Sequence, residues 1–148
     1  MNLDLYAGFD LARIGTVSIT LTDAGGGPIV VSLATGRFAH IDLSSVMGAG
    51  EYDQFDDAFE AAINAAPTIE NDYSLSFNTT TLAYTLSKAA GTFTLAAPTG
   101  VGRNVLGLSA GGAGLTTISS NLRPYYVIRS AHGKTEATDL YGDRKSVV

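Results

Sequence analysis

The sequence predicts a mainly β fold, an antiparallel β-sandwich or barrel-like domain with one packed α-helix at about residues 53–65. Three observations carry this expectation. Apolar residues alternate with hydroxyls over several short runs, glycine and proline punctuate those runs, and only one stretch changes to a helical period. At 148 residues the chain has the size of one domain, long enough to bury a core without staples. The expected organisation is a single β-rich domain over 1–131 and an extended C-terminal arm over 132–148.

Residues 16–22 set Val17, Ile19 and Leu21 on one face and hydroxyls on the other, the signature of a half-buried strand. Gly25-Gly26-Gly27-Pro28 breaks the pattern and residues 29–33 resume it, which predicts a hairpin with a longish loop. A third, shorter extended segment is expected within residues 36–43. From Tyr52 to Ala65 the apolar residues Tyr52, Phe55, Phe59, Ala62 and Ile63 recur at spacings of three and four, so this segment is an amphipathic helix. Asp53 is its expected N-cap. Asp56, Asp57 and Glu60 complement the helix dipole in the early turns, and Pro67 follows the end.

Strands return with Tyr73, Leu75 and Phe77, a turn at residues 78–80, then Leu82, Tyr84 and Leu86, then Phe93 and Leu95 within 92–96. Together they are expected to form a three-stranded antiparallel meander. Residues 78–80 fit a glycosylation sequon, a motif common by chance. Gly100 and Gly102 raise the question of a phosphate-binding loop, but neither a Gly-Lys-Ser/Thr ending nor the dinucleotide spacing follows. A short helical turn carrying Val105 and Leu106 inward, then a flexible loop over residues 111–114, explains the run better. The last expected strand is 122–130, where Pro124 favours an edge. The polar tail from His132 has no period of its own and is expected to order only on contact with neighbouring subunits.

Composition narrows function. Hydrophobic residues make up 45% of the chain and charged residues 16%, so the surface must be covered largely by small polar residues. Such a surface suits extensive protein contacts, where burying Lys or Glu would cost desolvation. A net charge of −5 with no long basic cluster argues against nucleic acid as a partner. No run approaches the length of a membrane helix, and residues 1–4 lack the start of a signal peptide; the expectation is a chain that begins at Met1 and is made in a cytoplasm, with no membrane partner. Cysteine is absent, which removes disulfides and thiolate chemistry.

No catalytic, metal or cofactor set emerges. His40 and His132 show no ligand spacing, no Gly-x-Ser-x-Gly elbow is present, and nothing pairs Asp42 or Glu51 with a particular helix acid for sugar cleavage. A histidine among strands is more often a structural hydrogen-bonding residue. The acidic residues of the helix have a structural explanation that a metal site does not need.

The order of motifs resembles a loosely defined group of small virion proteins of tailed bacteriophages. The residues that carry it are Gly36-Arg37-Phe38-Ala39, the helix with Phe55, Phe59 and Ile63 inward, Tyr84-Thr85-Leu86, Gly91-Thr92-Phe93-Thr94-Leu95 and Asn104-Val105-Leu106-Gly107-Leu108-Ser109. The likeness spans roughly residues 15–130, and Leu108 stands where the group's turn has phenylalanine. It implies a non-enzymatic structural subunit located in the virion, a tail or fibre-attachment component or a capsid decoration protein, synthesised in the bacterial host cytoplasm. Its partners would be copies of itself and other virion proteins. Expected assembly contacts are Gly26 and Pro28 in the first loop, Gly112 in the second, Arg123, Tyr125 and Tyr126 on the edge strand, and Tyr141 in the arm. Two rivals remain: a carbohydrate-binding module for a host glycan, with Tyr125 and Tyr126 as its platform, and a small hydrolase, which would need His40 in a pocket beside a serine and an acid.

Overall fold

Alternation of period two writes the two main sheets, and in the computed structural model, which describes residues 8–23 and 26–124, they face each other as a sandwich-like arrangement. The described chain runs β1 (Phe9–Asp10), α1 (Leu11–Ile14), β2 (Val17–Asp23), β3 (Ile29–Leu33), β4 (Arg37–Ala39), α2 (Ser44–Met47), β5 (Asp53–Gln54) and α3 (Phe55–Asn64). It continues through β6 (Tyr73–Asn78), β7 (Ala83–Lys88), β8 (Phe93–Leu95), α4 (Gly100–Leu106), β9 (Gly112–Leu115) and β10 (Thr117–Ser119). One sheet has the order β3-β2-β8-β9, the second β10-β7-β6, and a small third sheet β1-β4-β5 joins at the start of α3. None closes into a barrel.

The core takes one face of every long strand. Val17, Ile19, Leu21, Val31, Phe93 and Leu95 come from the first sheet, and Tyr73, Leu75, Tyr84 and Leu86 from the second. Phe55, Phe59 and Ile63 enter from α3, and Val105, Leu106 and Leu108 from α4 and its end. Each such side chain stabilises the fold by about 1.5–3 kcal/mol relative to exposure. Helix α4 lies against β2 at a distance only glycine permits: a Cβ on Gly102 would stand 2.6 Å from the Ser18 carbonyl oxygen.

The first hairpin forms as expected, with Val17 opposite Leu33 and Leu21 opposite Ile29. The helix forms too, but it starts later than its apolar period. Asp53 is not its cap, because its backbone is engaged in β5 opposite Phe38; the N-cap is Gln54, without a side-chain bond. The two four-residue helices α1 and α2 were not expected, being too short to show a period. Each follows an aspartate that takes up an amide: Asp10 accepts from Ala12, and Asp42 from Ser44.

Three further expectations are corrected. Strands β6 and β7 pair as predicted, but β8 is not the third strand of a meander: it crosses to the other sheet, where Leu95 lies opposite Leu21 and Phe93 opposite Asp23. The far side of β7 belongs to β10, with Ile118 opposite Leu86, and Gly91 in the left-handed region (φ 78°) turns the chain away. The run around Gly112 is not a flexible loop. Gly112 begins β9 and pairs with Leu95 across a bulge, and a Cβ on Gly111 would stand 2.0 Å from the Leu95 carbonyl oxygen, so glycine there serves close strand approach. The expected strand 122–130 does not begin at Leu122: residues 121–124 are irregular, and Pro124 packs beside Gly107, itself left-handed at φ 67°. The remainder of that segment and the arm over 132–148 lie outside the described residues.

The acidic residues of α3 have a role that the dipole alone does not capture. Strand β6 is an edge, and its outward amides are met by side chains one helical turn apart. Phe77 N–H donates to Asp56 (3.2 Å), Leu75 N–H to Glu60 (2.9 Å), and Tyr73 N–H to Asn64 (3.1 Å), whose own amide donates back to the Tyr73 carbonyl (2.9 Å). A helix advances 6 Å in four residues and a strand nearly 7 Å in two, so the rows stay in step over this length. Helix α3 thus completes the second layer in place of a fourth strand, and it also packs on β3 of the first.

Candidate functional site

The seven strands of the two main sheets contain only two charged residues, Asp23 and Lys88, and both point inward. Their outward positions carry uncharged side chains, most of them Ser or Thr. On the first sheet these are Ser18, Thr20 and Thr22 of β2, Val30 and Ser32 of β3 and Thr94 of β8. On the second they form cross-strand rows: Ser74, Ser87 and Thr117 in one, Ser76, Thr85 and Ser119 in the next. The hydroxyls of Thr85 and Ser119 are 2.8 Å apart and those of Ser87 and Thr117 3.2 Å, so the β7–β10 part of the second face is held in place by its own hydrogen bonds. Val30, 63% exposed, is the most exposed large hydrophobic residue among those described.

The inward charges form a closed network. The Lys88 ammonium donates to Glu70 (2.5 Å), to the Ala90 carbonyl (2.6 Å) and at longer range to Asp72 (3.4 Å), and it lies over the Tyr73 ring. The bond to Glu70 raises its pKa above the ordinary lysine value, so the ammonium is charged at neutral pH. Asp23 accepts from the Tyr73 hydroxyl and from the Glu70 amide (2.7 Å). Burial, with Asp23 beside it, raises the Tyr73 pKa far above the ordinary phenol. This cluster ties the 65–72 segment to both sheets. Apart from one Asp72 carboxylate oxygen, which meets no hydrogen-bond partner among the described residues, its groups satisfy one another, which makes it a fastening of the sandwich.

His40, which the hydrolase reading would need in a pocket, sits 4% exposed in an aromatic nest. Its ring stacks on Phe77 (centroids 5.2 Å apart), meets Tyr84 edge-on and packs beside Phe9, and its Nδ1 shares a hydrogen bond with the Tyr84 hydroxyl. Burial lowers its pKa to about 4, so the imidazole is neutral at physiological pH. His132 lies outside the described residues. The acids weighed for sugar cleavage do not converge either: Asp42 accepts the Ser44 amide, Glu51 pairs with Arg37 at the surface (3.1 Å), and Asp56 and Glu60 hold β6. Among the described residues no group of three or more His, Asp or Glu is placed to hold a metal ion.

No family model, curated protein or solved structure matches this chain. Gly26 and Pro28 are exposed in the loop between β2 and β3. Gly112 is half-buried in β9, and Arg123 is exposed beside an open groove between the β6–β7 turn and residues 120–123. These four lie at separate places in the fold, while Tyr125, Tyr126 and Tyr141 lie outside the described residues. Strand β3, whose five residues include no charge and no proline, was not among the contact elements expected from the sequence.

Proposed function

We propose that this protein is a non-enzymatic structural subunit of a tailed-phage particle, acting in the tail or fibre-attachment region or as a capsid decoration protein, through contacts with copies of itself and other virion proteins. The single observation that carries the assembly role is the inversion of charge: the two main sheets keep both of their charged residues inside and present uncharged, mostly hydroxyl faces outside. A face of Ser and Thr covered by a partner incurs little desolvation and little side-chain entropy, whereas Lys or Glu on that face would oppose contact. The burial of His40, 4% exposed and packed against Phe9 and Phe77, supports the non-enzymatic part. The attribution to a virion comes from the motif resemblance and rests on it alone.

The test is biochemical. Particles purified from a lysate of infected cells should contain the subunit in fixed stoichiometry, and imaging of particles labelled on it should show either the shell or a tail ring decorated. Particles that lack the subunit, with the protein left in the supernatant, would overturn the proposal.

A further inference from the structure

The sandwich has several edges, and they are not equally available. Helix α3 occupies the edge of β6 with Asp56, Glu60 and Asn64. At the opposite side β9 and β10 follow each other with only Thr116 between them, each is short, and β9 contains Gly112, Gly114 and a bulge against β8, features that make a poor template for pairing. Strand β3 differs. It is five residues of Ile, Val, Val, Ser and Leu, regular along its length against β2, and among the described residues none of its backbone groups bonds to any element other than β2. It carries no lysine, glutamate, proline or bulge, the devices by which an edge is usually blunted.

We infer that β3 is a self-association edge, on which the β3 strand of a second copy pairs antiparallel about a two-fold axis through Val31. The choice of a second copy follows from the strand's own pattern. Antiparallel pairing about Val31 sets Ile29 opposite Leu33 of the partner subunit on the core side, where both are only half-buried in one copy, and Val30 opposite Ser32 of the partner subunit on the outer face. All five residues find a partner, apolar meets apolar on the inner side, and no charge is brought against a like charge. The four-stranded sheets of the two copies become one continuous sheet whose outer face over β2, β3 and β8 is mostly Ser and Thr, with Val30 near its centre. An isologous contact of this kind closes on itself and leaves the β6–β7–β10 faces of both copies directed at other partners.

The inference deepens the proposed assembly role and rests on it, and the two can fail separately. The experiment is sedimentation of the full chain over a concentration series, because a five-residue pairing is a small interface with an expected Kd on the order of 100 μM. Wild type should move from monomer to dimer across that range. Val30→Lys/Ser32→Lys and Val30→Glu/Ser32→Glu should each stay monomeric, since every variant sets like charges opposite one another, and an equimolar mixture should recover a heterodimer. Because the chain has no cysteine, Val30→Cys mixed with Ser32→Cys should give a disulfide-linked dimer well above the yield of either alone, a readout that needs no charge on the strand. A wild type that remains monomeric to about 1 mM, ten times the expected Kd, would refute the inference, as would a Lys/Lys variant that dimerises like wild type. Protection of the Val30 and Ser32 amides in a monomer would refute it too, by showing the edge covered by its own chain. Particles that lack the subunit would remove the assembly role whatever the sedimentation shows, whereas a subunit present in particles but monomeric in solution would remove only this inference.

Discussion

Acidification should unfasten this protein through His40, and the size of the effect follows from the nest around it. The folded-state pKa is lowered from 6.5 to about 4 by burial among Phe9, Phe77 and Tyr84. Below pH 6.5 the unfolded chain takes up a proton that the native imidazole refuses, so stability is complete above that pH and falls as the pH drops. The fall proceeds at up to about 1.4 kcal/mol per pH unit and levels off below about pH 4, for a total of about 3 kcal/mol. His40→Asn removes the titration while keeping a polar atom near the position of Nδ1. Urea denaturation of both proteins at intervals from pH 7.5 to 4 isolates the effect, because every other titrating group is common to both. Wild type should lose about 3 kcal/mol more than the variant across that interval. Parallel stability curves, or an imidazole titrating near 6.5 by NMR, would refute the reasoning.

Other perturbations probe the fastenings. Glu60→Ala leaves the Leu75 amide without its acceptor and should cost about 1–3 kcal/mol by urea denaturation, while Glu60→Gln, which keeps an acceptor, should cost less. Tyr73→Phe deprives the buried Asp23 of a donor and should cost a similar 1–3 kcal/mol. Gly102→Ala drives a methyl toward the Ser18 backbone and should cost about 1–3 kcal/mol, whereas Gly27→Ala, in open space, should stay within about 0.5 kcal/mol of wild type; equal effects would contradict the packing of α4 on β2.

What could be read from the sequence was whatever a period records. The inward rows of β2, β3 and β7 and the buried stripe of α3 are where alternation and the three-four spacing place them. A period says which face is buried and is silent about the neighbour, so β8 could not be assigned to β2 when its nearest strand in the chain was β7. Glycine was ambiguous for a related reason: the same residue that loosens a loop also lets strands approach, and Gly111 does the second. Asp56, Glu60 and Asn64 share the four-residue spacing of a helix face, but reading them as an edge cap requires knowing that β6 lies beside them. The hydroxyl faces were legible strand by strand. Their continuity was not, because it depends on register, and register appears only when Ser74, Ser87 and Thr117 are seen in one row.

The cap on β6 also bears on the order in which the molecule folds. Its acceptors lie 9 to 21 residues from the amides they bind, so α3, β6 and β7 can come together from one short stretch of chain. Pairing of β2 with β8, by contrast, joins Thr22 to Thr94 and must close a loop several times longer, which is slow. While β2 waits for its partner, the early unit offers passing chains an edge already sealed by two carboxylates and a carboxamide, at the stage when an unfinished sheet is most exposed to aggregation. Pulse labelling during refolding reads this directly: the Leu75 and Phe77 amides should gain protection before that of Thr94, and the reverse order would assign the slow step to the helix.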